Sequence, residues 1–149
     1  LATHLIHTLL QKQYDFVTLL IGVNNQYRGL SITEFDQEFT FLLLKALQYN
    51  GHQNSRVFVL SIPDWAHTPF AQNKALETGI NLTEISAQID AFNEVIKKRC
   101  EDMEIEFVYI TDLTRNCAQE MIANDGLHYS ANMHQIWANL LLEKFVLQF

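Results

Sequence analysis

The chain has no sustained run of like charge, almost no cysteine or proline, and no apolar stretch of membrane length. Each absence closes off a class of function. Lys97-Lys98-Arg99 is the densest basic cluster, and Glu101, Asp102 and Glu104 follow it at once. With a net charge of −7, no cationic footprint exists for a phosphate backbone, so nucleic acid is not expected as a partner. Cys100 and Cys117 are the only cysteines. Two cysteines do not make a disulfide framework, and neither has companions at metal-ligand spacing. No apolar run approaches the roughly 18 residues that cross a bilayer, so no membrane span is expected. Residues 1–10 carry His4 and His7 and lack the charged leader of a secretory signal. A nucleophile elbow is also missing: Gly-x-Ser-x-Gly does not occur. Of the serines, Ser31 and Ser55 read as cap and turn residues and Ser86 lies inside a helix pattern. Ser61 sits within a strand pattern, and Ser130 is placed to cap the last helix.

What is present is an ordinary globular composition in one domain of 149 residues, 48% hydrophobic and 18% charged. Residues 1–10 open on a helical pattern, with Leu1, Leu5 and Leu9 on one face. A start in mid-helix suggests that the true N-terminus lies upstream. Residues 16–22 form a continuous apolar run closed by Gly22, the pattern of a strand buried on both faces. Ser31-Ile32-Thr33-Glu34 is a capping box for a helix reaching about Asn50, with Asn50-Gly51 as its stop. Residues 56–63 read as a second buried strand, and a long loop over residues 64–82 follows it. Thr83 is placed to cap a helix running to about Met103, which sets aside the formal glycosylation sequon Asn81-Leu82-Thr83. Residues 105–110 read as a third strand, 113–123 as a short helix and 132–149 as the last helix. Strands alternating with helices imply βαβ units and a three-layer α/β/α sandwich with a parallel sheet.

Ligands bind such sheets at the carboxyl ends of the strands. Asn24 and Asn25 follow the first strand, Asp64 and Trp65 the second, and Thr111 and Asp112 the third. Asp125-Gly126-Leu127-His128 lies in the loop before the final helix. An aspartate three residues before a histidine can orient the imidazole and stabilise its protonated form. An asparagine just past a strand can donate to a developing oxyanion. The plainer alternative makes Asp125-Gly126 a turn, His128 a surface residue and Asn24-Asn25 turn formers. Trp65, Pro69 and Phe70 stand in the long loop at the ligand edge, where they line a pocket or simply pack. His134 falls on the exposed face of the last helix. His4, His7, His52 and His67 have no companion at ligand spacing and read as structural or solvated.

These motifs resemble those of the SGNH hydrolases, the GDSL lipase/esterase family. Gly22-Val23-Asn24-Asn25 matches the family's Gly-x-Asn-Asp motif with asparagine in the last place, and Asp125-Gly126-Leu127-His128 matches Asp-x-x-His in full. The resemblance covers essentially the whole chain but only the later part of the family domain. It implies a flavodoxin-like sandwich lacking its first strand. It makes Asn24 an oxyanion donor and Asp125 and His128 two members of a Ser-His-Asp triad. Asn25, Asp64, Trp65 and Phe70 become candidate substrate-binding residues. The opening strand and the Gly-Asp-Ser nucleophile motif are expected upstream of Leu1. The implied activity is hydrolysis of a small-molecule carboxylic ester with no metal or organic cofactor. The rival reading is a non-catalytic α/β binding module that has lost the nucleophile. A true flavodoxin is disfavoured, because no strand is followed by a phosphate-cradling glycine-rich loop. A sheet without its first strand exposes an edge, which opens the way to self-association there.

Overall fold

Residues 13–148 are described by a computed structural model; the helix expected over residues 1–10 lies outside them. Among the described residues three short strands form one parallel sheet in the order β1-β2-β3: β1 is Val17–Leu19, β2 Val57–Leu60 and β3 Glu106–Val108. Each is shorter than its apolar run. Residues beyond the ladder, such as Leu20 and Ile62, instead turn into the loops that build the site. The central strand β2 is buried at every position, as its unbroken apolar sequence requires.

Helices cover both faces. On one side lie α2 (Ile32–Tyr49) and α4 (Leu82–Asp102). Phe35, Phe39 and Leu43 of α2 meet Ile89, Phe92 and Ile96 of α4 over Val57 and Val59. The Phe35 and Phe92 rings stack at 4.4 Å. A bidentate ion pair from Arg99 to Asp36, both bonds 2.6 Å, ties the two helices at the rim. On the other side α6 (Ala131–Gln148) sets Met133 and Trp137 against Leu60, Val108 and Ile110. The result is the expected three-layer α/β/α sandwich. No described helix is long and apolar enough to cross a membrane.

The helix boundaries show where local chemistry governs. The capping box at α2 is fully formed: Glu34 N–H donates to Ser31 Oγ at 3.2 Å, and Ser31 N–H donates to Glu34 Oε2 at 2.9 Å. At α4 the cap is Asn81, not Thr83. Its Oδ1 accepts from the backbone N–H groups of Thr83 and Glu84, so Thr83 is already helical. The expected loop over 64–82 contains a 3₁₀ turn, Trp65–His67, and an α-helix, α3 (Pro69–Thr78). Only Ala71 of α3 is fully buried, so the segment shows no apolar stripe. Its punctuation was nevertheless complete: Thr68 as N-cap, Pro69 at the first position and Gly79 at φ 72° as the C-cap. The helix expected over 113–123 breaks into α5 (Thr111–Arg115) and a 3₁₀ turn, Gln119–Met121.

Gly22 is the one glycine on which the site geometry hangs. It caps the five-residue helix α1 (Val23–Tyr27) at φ 120°, ψ −26°, a conformation closed to side-chain-bearing residues. A Cβ there would stand 2.5 Å from Ile62 Cδ1 and 3.1 Å from Phe35 Cε2. Gly22→Ala should therefore cost about 2–3 kcal/mol, as strain plus displacement of two buried side chains. Urea unfolding measures this, and a loss under about 0.5 kcal/mol would show that the turn relaxes freely.

Candidate active site

The sheet's carboxyl edge is assembled first from polar bonds between loops. Ser61 Oγ accepts the N–H groups of Ile110 and Thr111 at 2.8 and 3.1 Å. Asn93, buried on α4, accepts Ile62 N–H at 2.7 Å and donates to Thr111 Oγ1 at 2.9 Å. The ends of β2 and β3 are thus fastened to each other and to α4. Ser61 is fully buried within this lattice and is not a nucleophile candidate.

On that edge lies a cleft of about 580 Å³ that holds both Asn24 and His128. Trp65, Leu127, Trp137 and His134 also face it, and among the described residues no Asp, Glu, Lys or Arg lines it. Asn24 is exposed on the first turn of α1, and its side-chain amide bonds to no other described residue. His128 Nδ1 lies 2.6 Å from Asp125 Oδ2. Asp125 Oδ1 accepts the backbone N–H groups of Leu127 and His128, each at 2.9 Å. The His128 hydrogen bond, and then these two N–H groups, hold the Asp125 carboxyl down to about 2. An ionised carboxylate can only accept. An Nδ1–H therefore faces the carboxylate, and in the neutral ring Nε2 is the nitrogen that carries the lone pair.

The structure separates the other candidates. Trp65 is on the cleft wall, with its indole N–H donated to Gln26 Oε1 at 2.8 Å. Asn25 is not on the cleft; its amide donates to Glu38 at 2.7 Å. Phe70 sits on α3 and meets the Asp125–His128 loop through its backbone, donating to the Gly126 carbonyl at 3.0 Å. Asp64 is fully buried and cannot touch a ligand. Its carboxylate accepts Ala66 N–H at 3.0 Å and Arg115 Nε–H at 2.8 Å, and Arg115 reaches on to Asp90 at 2.7 Å. The Ser86–His67 contact beside it does not form a hydrolytic relay. Ser86 Oγ lies 3.5 Å from His67 Nε2 and Asp64 Oδ2 lies 3.8 Å from the same nitrogen, whereas a relay uses both ring nitrogens.

His134 is the residue that sequence reasoning passed over. It is exposed, as expected, but it lines the cleft; its Nδ1–H is donated to the Ser130 carbonyl at 2.9 Å and its ring lies 4.8 Å from Trp137. Its place one turn into the helix after the Asp-x-x-His loop was the available signal. A larger hollow of about 900 Å³ behind the loop, lined by Glu120 and Asn124 among others, contains neither Asn24 nor His128. Among the described residues no group of three or more His, Cys, Asp or Glu side chains gathers as a metal site would require.

The comparisons identify the family to which this sandwich belongs. The chain belongs to the GDSL-like lipase/acylhydrolase family, whose model matches residues 2–136. No curated protein sequence matches it. Similar solved structures include a lipase/acylhydrolase from Enterococcus faecalis, with TM-score 0.68 and 14% identity over 96% of this chain and 67% of that one. An acetylxylan esterase from Geobacillus stearothermophilus gives TM-score 0.68 and 16% identity over 96% of this chain and 64% of that one. An alpha/beta hydrolase from the metagenome of Lake Arreo, Spain, gives 0.67 and 15% over 96% and 65%. At such identities the likeness establishes the fold. The chain spans about two-thirds of the length of these relatives.

Two measurements check the electrostatics. Replacing Arg115 with Leu leaves the buried Asp64 carboxylate uncompensated and should cost about 3 kcal/mol in urea unfolding. For Asp125 the folded value near 2 lies below the ordinary carboxylate value of about 4. Its contribution to stability is therefore complete above about pH 4 and is lost as pH falls from there toward 2. Asp125→Asn should flatten the stability profile in that window and leave it unchanged above. An identical acid slope in the variant would show that the pair does not persist in solution.

Proposed function

We propose that this chain forms the larger part of a serine ester hydrolase of the SGNH type. His128 acts as its general base, Asp125 as the partner that orients His128, and Asn24 as an oxyanion donor. The observation that carries this reading is the 2.6 Å Asp125–His128 pair on the same cleft as the unengaged Asn24 amide. None of the chain's five serines lines that cleft. The nucleophile is assigned to a segment outside the 149 residues. Among the described strands β1 has a neighbour on one side only. A further strand laid parallel on its open side would end near Asn24 and His128, where the serine is required. Left uncovered, the same edge would admit a second copy of the chain.

The mechanism follows from the proton positions. The serine hydroxyl attacks the ester carbonyl while Nε2 of His128 takes its proton. Asp125 stabilises the imidazolium formed, since its carboxylate already accepts Nδ1–H. The carbonyl oxygen gains a full negative charge, toward which the Asn24 amide donates. One such donor is worth about 3 kcal/mol in the transition state. His128 then protonates the departing alkoxide, and a water activated in the same way releases the acid. The absence of carboxylates and cationic side chains from the cleft wall favours an uncharged ester.

Purified alone, the 149-residue chain should hydrolyse short p-nitrophenyl esters no faster than an unrelated protein. A longer gene product carrying an upstream strand and Gly-Asp-Ser should be active. In that product His128→Ala should lower kcat by about 10³-fold or more, and Asn24→Ala by about 10²–10³-fold with little change in KM. Robust hydrolysis by the short chain that survives His128→Ala would overturn the mechanism. A folded, inert long form would support the binding-module reading instead.

A further inference from the structure

Leu127 packs the candidate catalytic loop against the core, but few hydrogen bonds fix its position. His128 and Asp125 side chains are 76% and 51% exposed. Their mutual bond spans only three residues, so it orients the ring relative to its own loop and not relative to the cleft. The backbone bonds from Ala123 N–H to the His128 carbonyl (2.7 Å) and from Ser130 N–H to the Met121 carbonyl (2.8 Å) join the loop only to the segment just before it. Among the described residues, beyond the Phe70 N–H to Gly126 carbonyl bond at 3.0 Å, one side-chain hydrogen bond crosses from this loop to the body of the sheet. It comes from Tyr129, next to His128, whose hydroxyl donates to the Asp64 carbonyl at 3.0 Å.

We propose that Tyr129 is a positioning residue of this site: its phenol tethers the Asp125–His128 loop to Asp64 and so sets where His128 stands over the cleft. The inference rests on the role proposed for His128. Both ends of the tether are rigid. The Tyr129 ring is buried and lies 5.4 Å from Trp137 of α6. The acceptor belongs to a residue that is itself fully fixed. Asp64 N–H donates to Thr114 Oγ1 at 2.9 Å, and its carboxylate is held by Ala66 and Arg115. Through Arg115 and Asp90 the anchor extends to α4. Burial pushes the Tyr129 phenol far above its ordinary range, so it remains a donor at every working pH. Tyr129 is joined to His128 by one peptide bond, so releasing the ring shifts the imidazole directly. Misplacement of a general base by about an ångström is enough to cost roughly tenfold to a hundredfold in rate.

The tether also assigns a task to Asp64. Its position at the end of β2 marks it as a ligand-contacting residue, yet it has no exposed surface. It acts on the site through its carbonyl and Tyr129.

Tyr129→Phe tests this in the 149-residue chain, because it keeps the ring and deletes only the hydroxyl. Long-range ¹H–¹⁵N correlation spectra of the His128 ring read its tautomer near pH 8. The wild type should show Nδ1–H. The variant should shift toward the Nε2–H form: a released Tyr129 moves the adjoining His128 backbone, whose N–H Asp125 also accepts at 2.9 Å, and so loosens the pair. Asn54→Ala, which removes a bond to the Met103 carbonyl far from the loop, should leave the tautomer unchanged even if it lowers stability. In the longer, active product Tyr129→Phe should lower kcat about tenfold with KM changed less than about twofold. If the variant does not fold, the wild-type spectrum decides: the Tyr129 hydroxyl proton should exchange slowly with water. A rapidly exchanging hydroxyl would overturn the tether. So would a folded variant with the wild-type tautomer and kcat. An inactive long form would sink the proposed hydrolase and leave the tautomer test standing.

Discussion

Burying a carboxylate completely is tolerable only if every polar atom it carries finds a partner. At Asp64 each one does. The N–H, both carboxylate oxygens and the carbonyl are all engaged, by Thr114, Ala66, Arg115 and Tyr129. Those partners come from the loop after β2, from α5 and from the loop before α6. Three segments distant in the chain are therefore fastened at one buried charge. The neighbouring Ser61–Thr111–Asn93 cluster does the same one layer deeper. Short strands contribute little ladder of their own, and this polar lattice carries the register of the sheet's carboxyl edge.

How much of this was legible in the sequence depends on the range of the interaction. Local signals read correctly: the Ser31–Glu34 box, the Gly22 stop, and the alternation of strands with helices; the first strand, expected to be buried on both faces, leaves Thr18 exposed. The Asp125–His128 contact is likewise local, three residues apart. Helix α3 was missed because its apolar face is one alanine wide, and hydrophobic period was given more weight than the Thr68-Pro69 and Gly79 punctuation. Thr83 was chosen over Asn81 although both can cap; only the geometry shows which side chain reaches back to the free N–H groups. Asp64 and Asn25 misled for a different reason. Both occupy the right edge of the sheet, but whether a side chain there turns to the cleft or to a neighbour is decided by residues far away, Arg115 and Glu38.

The candidate site is chemically poised and physically open. An exposed Asp–His pair in water contributes little, because solvent and salt screen it. In the proposed mechanism the pair acts as a base once water is excluded, and the Asn24 amide acts as a donor once an oxyanion replaces solvent in front of it. Whatever covers the cleft therefore matters as much as the residues within it. Among the described residues the wall offers no carboxylate, Lys or Arg to compete with the pair.

Trp65 and Trp137 are the only tryptophans in the chain, and both form walls of this one cleft. The intrinsic indole emission of the protein thus originates entirely at the site. Trp65 is locked by Gln26, and Gln26 in turn by Gln88 at 2.8 Å, so its environment changes little unless the cleft itself changes. Filling of the site, by a small ester or by a segment of polypeptide, is written directly into an unlabelled fluorescence spectrum.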